Sequence, residues 1–94
     1  MTDRKQQPMT KRQAQSEALR RWASRGEFGS SPQVCLRTRK HANRCMVGYL
    51  HWTDAERRRC TPLLIGEGPT WEAAFVSADD REARGLPPIR EGFL

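Results

Sequence analysis

The chain reads as an α+β domain, a two-layer sandwich in the order helix, three-stranded antiparallel sheet, helix (αβββα). Three observations lead there. Apolar residues recur at helical spacing in two stretches, one on either side of the middle of the chain. Between them lie short stretches rich in Val, Ile, Tyr and Trp or alternating apolar with polar, separated by polar turns. And 94 residues with 36% hydrophobic content suffice for one small core and for no second domain. The domain is expected over 10–86, preceded by a flexible basic arm at 1–9 and followed by an extended C-terminal tail at 87–94.

The first helix begins at Thr10. A Thr there with Gln13 three residues on makes a capping box, and Met9 and Ala14 stand at the staple positions. Ala14, Ala18, Leu19 and Trp22 form one narrow apolar stripe, and Gly26 is placed to end the helix in a left-handed turn. Lys11, Arg12, Arg20, Arg21 and Arg25 occupy the opposite face, with Glu17 spaced to pair with Arg21 at i+4. Phe28 to Pro32 is a loop. From Gln33 to Arg39 the pattern alternates: Val34, Leu36 and Thr38 point inward, Cys35, Arg37 and Arg39 outward, giving a half-buried strand with a basic solvent face. Lys40 to Arg44 is a polar turn in which Asn43 suits a left-handed conformation.

Cys45 to Trp52 is the second strand. Thr53 to Arg58 forms a turn, with Thr53 and Glu56 spaced to cap one helical turn. Cys60 to Ile65 is the third strand, and Pro62, which has no N–H to donate, puts it at an edge or breaks it there. Gly66-Glu67-Gly68-Pro69 turns the chain into a second helix capped by Thr70, with Trp71, Ala74, Phe75 and Ala78 at i, i+3, i+4 and i+7. Gly85 closes that helix, Leu86 is placed for a Schellman-type contact, and Pro87-Pro88 forbid continuation.

Charge is unevenly distributed. Residues 1–29 carry a balance of +4 and residues 30–60 a balance of +5, whereas residues 61–94 stand at -3, for a net +6. The isoelectric point is near 10.0 and the mean hydropathy is -0.84. A basic front and an acidic rear point to a face for an anionic partner. No run of about 18 apolar residues exists to span a membrane. A charged N-terminus without an apolar stretch, and an odd number of cysteines, fit a cytoplasmic protein with reduced thiols.

No catalytic or metal chemistry is expected. Cys35, His41, Cys45, His51 and Cys60 fall within 26 residues, but the gaps of five, three, five and eight lack the tight ligand pairs of structural zinc sites. Cys45 and His51 would share one face of a strand about 20 Å apart, too far for a nucleophile and its base. Gly66-Glu67-Gly68 lacks the lysine of a phosphate loop. The reading is of a non-enzyme with no cofactor, no metal and no small-molecule substrate.

The element order, together with Gly66-Glu67-Gly68-Pro69-Thr70 opening a helix that carries Ala74 and Ala78, resembles the double-stranded RNA-binding domain over residues 10–84. His41, four residues before Cys45, stands where that family often has a His in its groove-reaching loop. The resemblance implies an αβββα fold and contact with nucleic acid. It departs at the start of the second helix, where the family's phosphate-gripping lysines are replaced by Trp71, Glu72 and Phe75, and before the hairpin His, where Arg39-Lys40 replaces a glycine-proline pair. In size and absence of a catalytic motif the chain is also similar to short accessory proteins of phages and mobile elements, anti-CRISPR proteins among them.

The functional weight therefore rests on the arginines. Arg37, Arg39, Lys40, His41 and Arg44 converge at the first hairpin, Arg57, Arg58 and Arg59 form a run before the third strand, and Arg20 and Arg21 extend the basic surface onto the first helix. Guanidinium forks suit phosphate or carboxylate. Trp22 and Trp71 belong to the helix–sheet layer, whereas Trp52, ending a strand, is placed as a base-stacking or protein anchor. The expected function is a binding module that docks an Arg-rich hairpin face onto RNA or DNA through shape and backbone. The alternative is an accessory protein that inhibits a nucleoprotein complex by gripping its acidic surface.

Overall fold

The computed structural model describes residues 8–38 and 43–91. Its elements run α1 (Lys11–Trp22), β1 (Ser30–Thr38), β2 (Asn43–Trp52), β3 (Cys60–Gly68), α2 (Trp71–Ala83) and β4 (Arg90–Glu91). The four strands form one antiparallel sheet in the order β1-β2-β3-β4, and both helices lie on one of its faces. This is the expected αβββα sandwich, with a short fourth strand added by the tail. Residues 92–94 and the expected arm at 1–7 lie outside the described residues.

The helix starts follow from their caps. Thr10 Oγ1 accepts from the Gln13 N–H at 3.1 Å while Gln13 Oε1 accepts from the Thr10 N–H at 2.9 Å, a full capping box. Met9, which the sequence places in the arm, instead packs on the core, and its N–H donates to the Glu72 carboxylate. That contact pins the two helix N-termini together. Their C-terminal ends also meet, through Arg21 with Asp79 and Arg25 with Glu82, so the helices run side by side in one direction. α1 ends at Trp22, earlier than Gly26. Gly26, at φ 82°, serves the following loop: an added Cβ would stand 2.6 Å from the His51 ring. α2 ends as expected, with Gly85 at φ 66° and the Leu86 N–H bonded to the Arg81 carbonyl at 2.9 Å.

The core sits between the layers. Ala14, Ala18 and Trp22 of α1 and Trp71, Ala74, Phe75 and Ala78 of α2 close over Val34, Cys45, Val47, Tyr49 and Ile65. Trp22 is fully buried between Tyr49 and Phe75, with ring centroids at 5.8 and 5.9 Å, and its indole N–H has no acceptor. Two residues expected to point inward are exposed: Leu19 at 47% and Leu36 at 46%. Leu19 falls on the flank of α1 away from α2, beyond the buried stripe of Ala14, Ala18 and Trp22. Leu36 lies toward the hairpin, past the end of the helical cover.

The outer sheet face is not purely basic. Met46 and Leu64 are buried there, flanked by Cys35 and by Ile89 from the returning tail. Ile89 donates its N–H to the Leu64 carbonyl at 2.7 Å, and Arg90–Glu91 pair with Leu64 and Leu63. Pro62 stands next to this short cover, opposite Leu50, on a strand whose outer side pairs only at residues 63 and 64 among the described residues.

β3 runs three residues further than the sequence implied, because of a bulge. Val47 pairs with Gly66 and Gly48 with Leu64, leaving Ile65 as the extra residue. Strand side chains alternate faces, so one inserted residue flips all that follow. Gly66 and Gly68 thereby turn toward α2 and Glu67 turns to the outer face. A Cβ on Gly66 would lie 2.2 Å from the Ala74 carbonyl oxygen, and one on Gly68 2.8 Å from the Ala73 Cβ. The glycine pair is thus a seat for a helix, and the turn itself is confined to Pro69 and Thr70.

Candidate anion-binding surface

The first hairpin sets Arg37 directly opposite Arg44, in a register that also pairs Cys35 with Met46. Met46 belongs to the outer-face cluster, so both arginines stand on the face without helices. Asn43 and Arg44, expected in the turn, are the first residues of β2 and extended in conformation. Like charges directly across a ladder are unfavourable. The carboxylate nearest to Arg44 in the ion-pair geometry is Glu67, brought to this face by the Ile65 bulge. Its Oε2 lies 3.8 Å from Arg44 Nη2, an ion pair too long for a hydrogen bond. Arg39, Lys40 and His41 lie outside the described residues.

A second cationic group caps the other end of the sheet. Asp54, rather than Thr53 and Glu56, builds the β2–β3 turn: its Oδ1 accepts from the Arg58 and Arg59 N–H groups, each at 2.9 Å. Thr53 Oγ1 donates instead to the Arg59 carbonyl at 3.2 Å. Arg57 takes φ 57°, a left-handed conformation uncommon outside glycine, and its Nε donates to the Phe28 carbonyl at 3.2 Å. Arg57 therefore ties the loop to the α1–β1 connection, while the Arg58 and Arg59 side chains face solvent. From Arg44 to Trp52 the strand covers about 26 Å. The run at 57–59 and the hairpin are thus two separate cationic sets at opposite ends of β2.

The helix arginines divide by role. Arg20 is exposed and paired with Glu17. Arg21, expected on the solvent face, sits in the seam between the helices. Its Nε donates to Glu17 at 2.6 Å, Nη1 to Asp79, and its guanidinium lies 4.7 Å from the centroid of the Phe75 ring. Hydrogen bonds from Arg20 and then Arg21 hold the Glu17 carboxyl below its ordinary range. Burial draws the Arg21 pKa down, and Asp79 and Glu17 more than offset that, for a net rise. The reason for the misplacement is geometric: α1 and α2 are near enough for a flank residue of one to reach the other.

Trp52 is half-buried, and its Nε1 donates to Ser31 Oγ at 3.0 Å, so one edge of the indole is already engaged. Trp71 and Phe75, where the resembled family carries lysines, are buried, and Glu72 is held below its ordinary pKa, foremost by the Met9 N–H. The start of α2 offers no cation from those three positions.

The cysteines do not converge. Cys45 faces the helices, Cys35 packs on the outer cluster, and Cys60 is exposed opposite Trp52. Burial, then the Glu72 charge, pushes the Cys45 thiol pKa up, the reverse of what activates a nucleophile. Among the described residues no three His, Cys, Asp or Glu side chains stand close enough to hold a metal ion, and no helix is long and apolar enough to cross a membrane. Comparison with protein-family models, curated proteins and solved structures returns no match to this chain.

Proposed function

We propose that this protein is a non-enzymatic module that binds the backbone of nucleic acid through the hairpin end of its open sheet face. The observation that carries the reading is the register that sets Arg37 against Arg44, with Glu67 only 3.8 Å from the latter. A phosphate seated between two guanidinium groups accepts from both forks. The second set, Arg58 and Arg59, lies a strand length away, so a partner that engages both must carry negative charge over about 26 Å. A nucleic-acid backbone does so at every residue; an isolated acidic side chain does not. Arg39 and Lys40, between the two strands in sequence, add positive charge to the same stretch of the chain. Glu72 and the buried Trp71 and Phe75 leave contact to the hairpin and the β2–β3 loop.

The test is a salt titration of binding to labelled duplex RNA, duplex DNA and single strands of equal length. Binding at about 100 mM salt that falls steeply on a log–log plot is the expected result. Absence of binding to all of these at low salt overturns the reading.

One observation favours the protein-directed alternative, an accessory protein that inhibits a nucleoprotein complex. Leu36 is 46% exposed on the helix-facing side of the edge strand β1, the face opposite Arg37, and an uncovered apolar side chain at the rim of the sheet suits a protein contact. Under that reading, co-purification recovers one stoichiometric protein partner that survives nuclease treatment and is released by Arg37→Glu with Arg44→Glu.

A further inference from the structure

Where α2 ends, the chain folds back over the helix-facing side of the sheet. The Gly85 N–H bonds to the Glu82 carbonyl and the Leu86 N–H to the Arg81 carbonyl, a complete Schellman turn. Pro87 and Pro88 then lead to Ile89, anchored on Leu64. Between this returning segment and the side chains of Tyr49 and Ile65 lies a cavity of about 400 Å³, within the range of small-molecule sites.

Two guanidinium groups line it. Arg25, from the loop after α1, is held by Glu82 at 2.9 Å. Burial draws its pKa down, and Glu82 and then Tyr49 more than offset this. Arg81 donates from Nη2 to the Pro87 carbonyl at 2.7 Å, but its Nε is buried without an acceptor. A buried N–H left unmatched is unfavourable, and it belongs to a half-buried guanidinium that lines the cavity and carries further N–H donors. Two cations face one carboxylate, which leaves room for a single negative charge. Ile65, Leu86 and the prolines make the rest of the wall apolar.

We propose that this cavity binds a small organic carboxylate, with its head group at Arg81 and the Tyr49 hydroxyl and its apolar body against Ile65 and Leu86. A monoanion balances the site, whereas a phosphate dianion would set excess negative charge beside Glu82. None of the hairpin or β2–β3 loop cations contributes, so the site is separate from the nucleic-acid surface and stands or falls independently of it.

The test is titration of the full chain with benzoate, with neutral benzamide and with inorganic phosphate, read by amide NMR shifts. Benzoate is expected to move the Ile65, Gly85 and Leu86 amides saturably, with a Kd on the order of 1 mM. Benzamide and phosphate leave them in place. Leu86→Trp, at a position 40% exposed and so tolerant of a larger ring, fills the mouth and abolishes the response. Arg81→Gln weakens benzoate by about tenfold or more. Because Arg81 also holds Pro87, that variant can lose the returning segment; Leu86→Trp decides the matter alone. No saturable benzoate shift, an equal shift with benzamide or phosphate, or an unchanged response in Leu86→Trp overturns the proposal.

Discussion

Replacing Arg21 by Met separates a structural arginine from a binding one. The substitution keeps most of the stem that lies over Phe75 and removes the charge that joins Glu17 to Asp79. Each interaction removed has a size. The i,i+4 pair with Glu17 contributes about 0.3–0.5 kcal/mol and the pair with Asp79 about 0.2–1 kcal/mol, toward the low end because Asp79 is 61% exposed. The cation over the Phe75 ring adds about 0.5–1 kcal/mol. Together they come to about 1–2 kcal/mol, a Tm fall on the order of 4–16 °C for a domain of this size. Urea denaturation checks the value, and a double-mutant cycle with Asp79→Asn isolates the interhelical part. Arg20→Met, which removes only the exposed pair with Glu17, costs clearly less than Arg21→Met. Nucleic-acid affinity is unchanged in Arg21→Met at temperatures where the variant is folded. Equal stabilities for the two variants, or a loss of binding in Arg21→Met without loss of stability, would refute the placement of Arg21 in the helix seam.

Two further outcomes follow from the packing and the charges. Gly66→Ala drives a methyl into the Ala74 carbonyl and the Ala78 backbone, so α2 must move; the expected loss is about 3 kcal/mol. Gly85→Ala meets no atom within 4 Å and costs only the left-handed backbone conformation, about 1 kcal/mol, so urea midpoints should rank the two variants in that order. Stability also falls in acid. The Glu17 carboxyl is depressed below its ordinary 4.5, so its contribution is complete above that pH and disappears as pH drops through the lower folded-state value. Urea unfolding between pH 6 and 3 should show this drop reduced in Glu17→Gln; an unchanged pH dependence in that variant contradicts the pairing.

What the sequence revealed was local. The capping box at Thr10, the Thr70 cap, the Schellman close at Gly85 and the apolar stripe of α2 each depend on residues within a turn or two of one another, and all are present. What it hid depends on contacts between distant segments. Whether Leu19 and Leu36 are covered is set by how far the helices reach across the sheet. The Ile65 bulge arises from pairing with β2, and without it Gly66-Glu67-Gly68 reads as a turn. A trace of it was available, since glycines spaced by two just before a helix with Ala74 and Ala78 also describe a close helix–strand contact. Helical periodicity places Arg21 toward solvent because it marks the faces of one helix and carries nothing about its neighbour. Arg25, Arg81 and Tyr49 had no signal at all, coming from three segments joined only where α2 ends. The sequence treats the hairpin and the 57–59 run as one basic face, whereas β2 holds the two about 26 Å apart.

The reading of this protein as a backbone-binding module is tested most directly by reversing the hairpin pair. Fluorescence anisotropy with a labelled duplex, measured on Arg37→Glu/Arg44→Glu over a range of salt, should show weakened binding at every concentration. The log–log salt slope should be shallower by about 2, one unit for each phosphate that the variant no longer neutralises. Thermal unfolding serves as the control that the variant remains folded. Parent affinity and an unchanged salt slope in the folded variant would contradict the claim that this hairpin face holds nucleic acid.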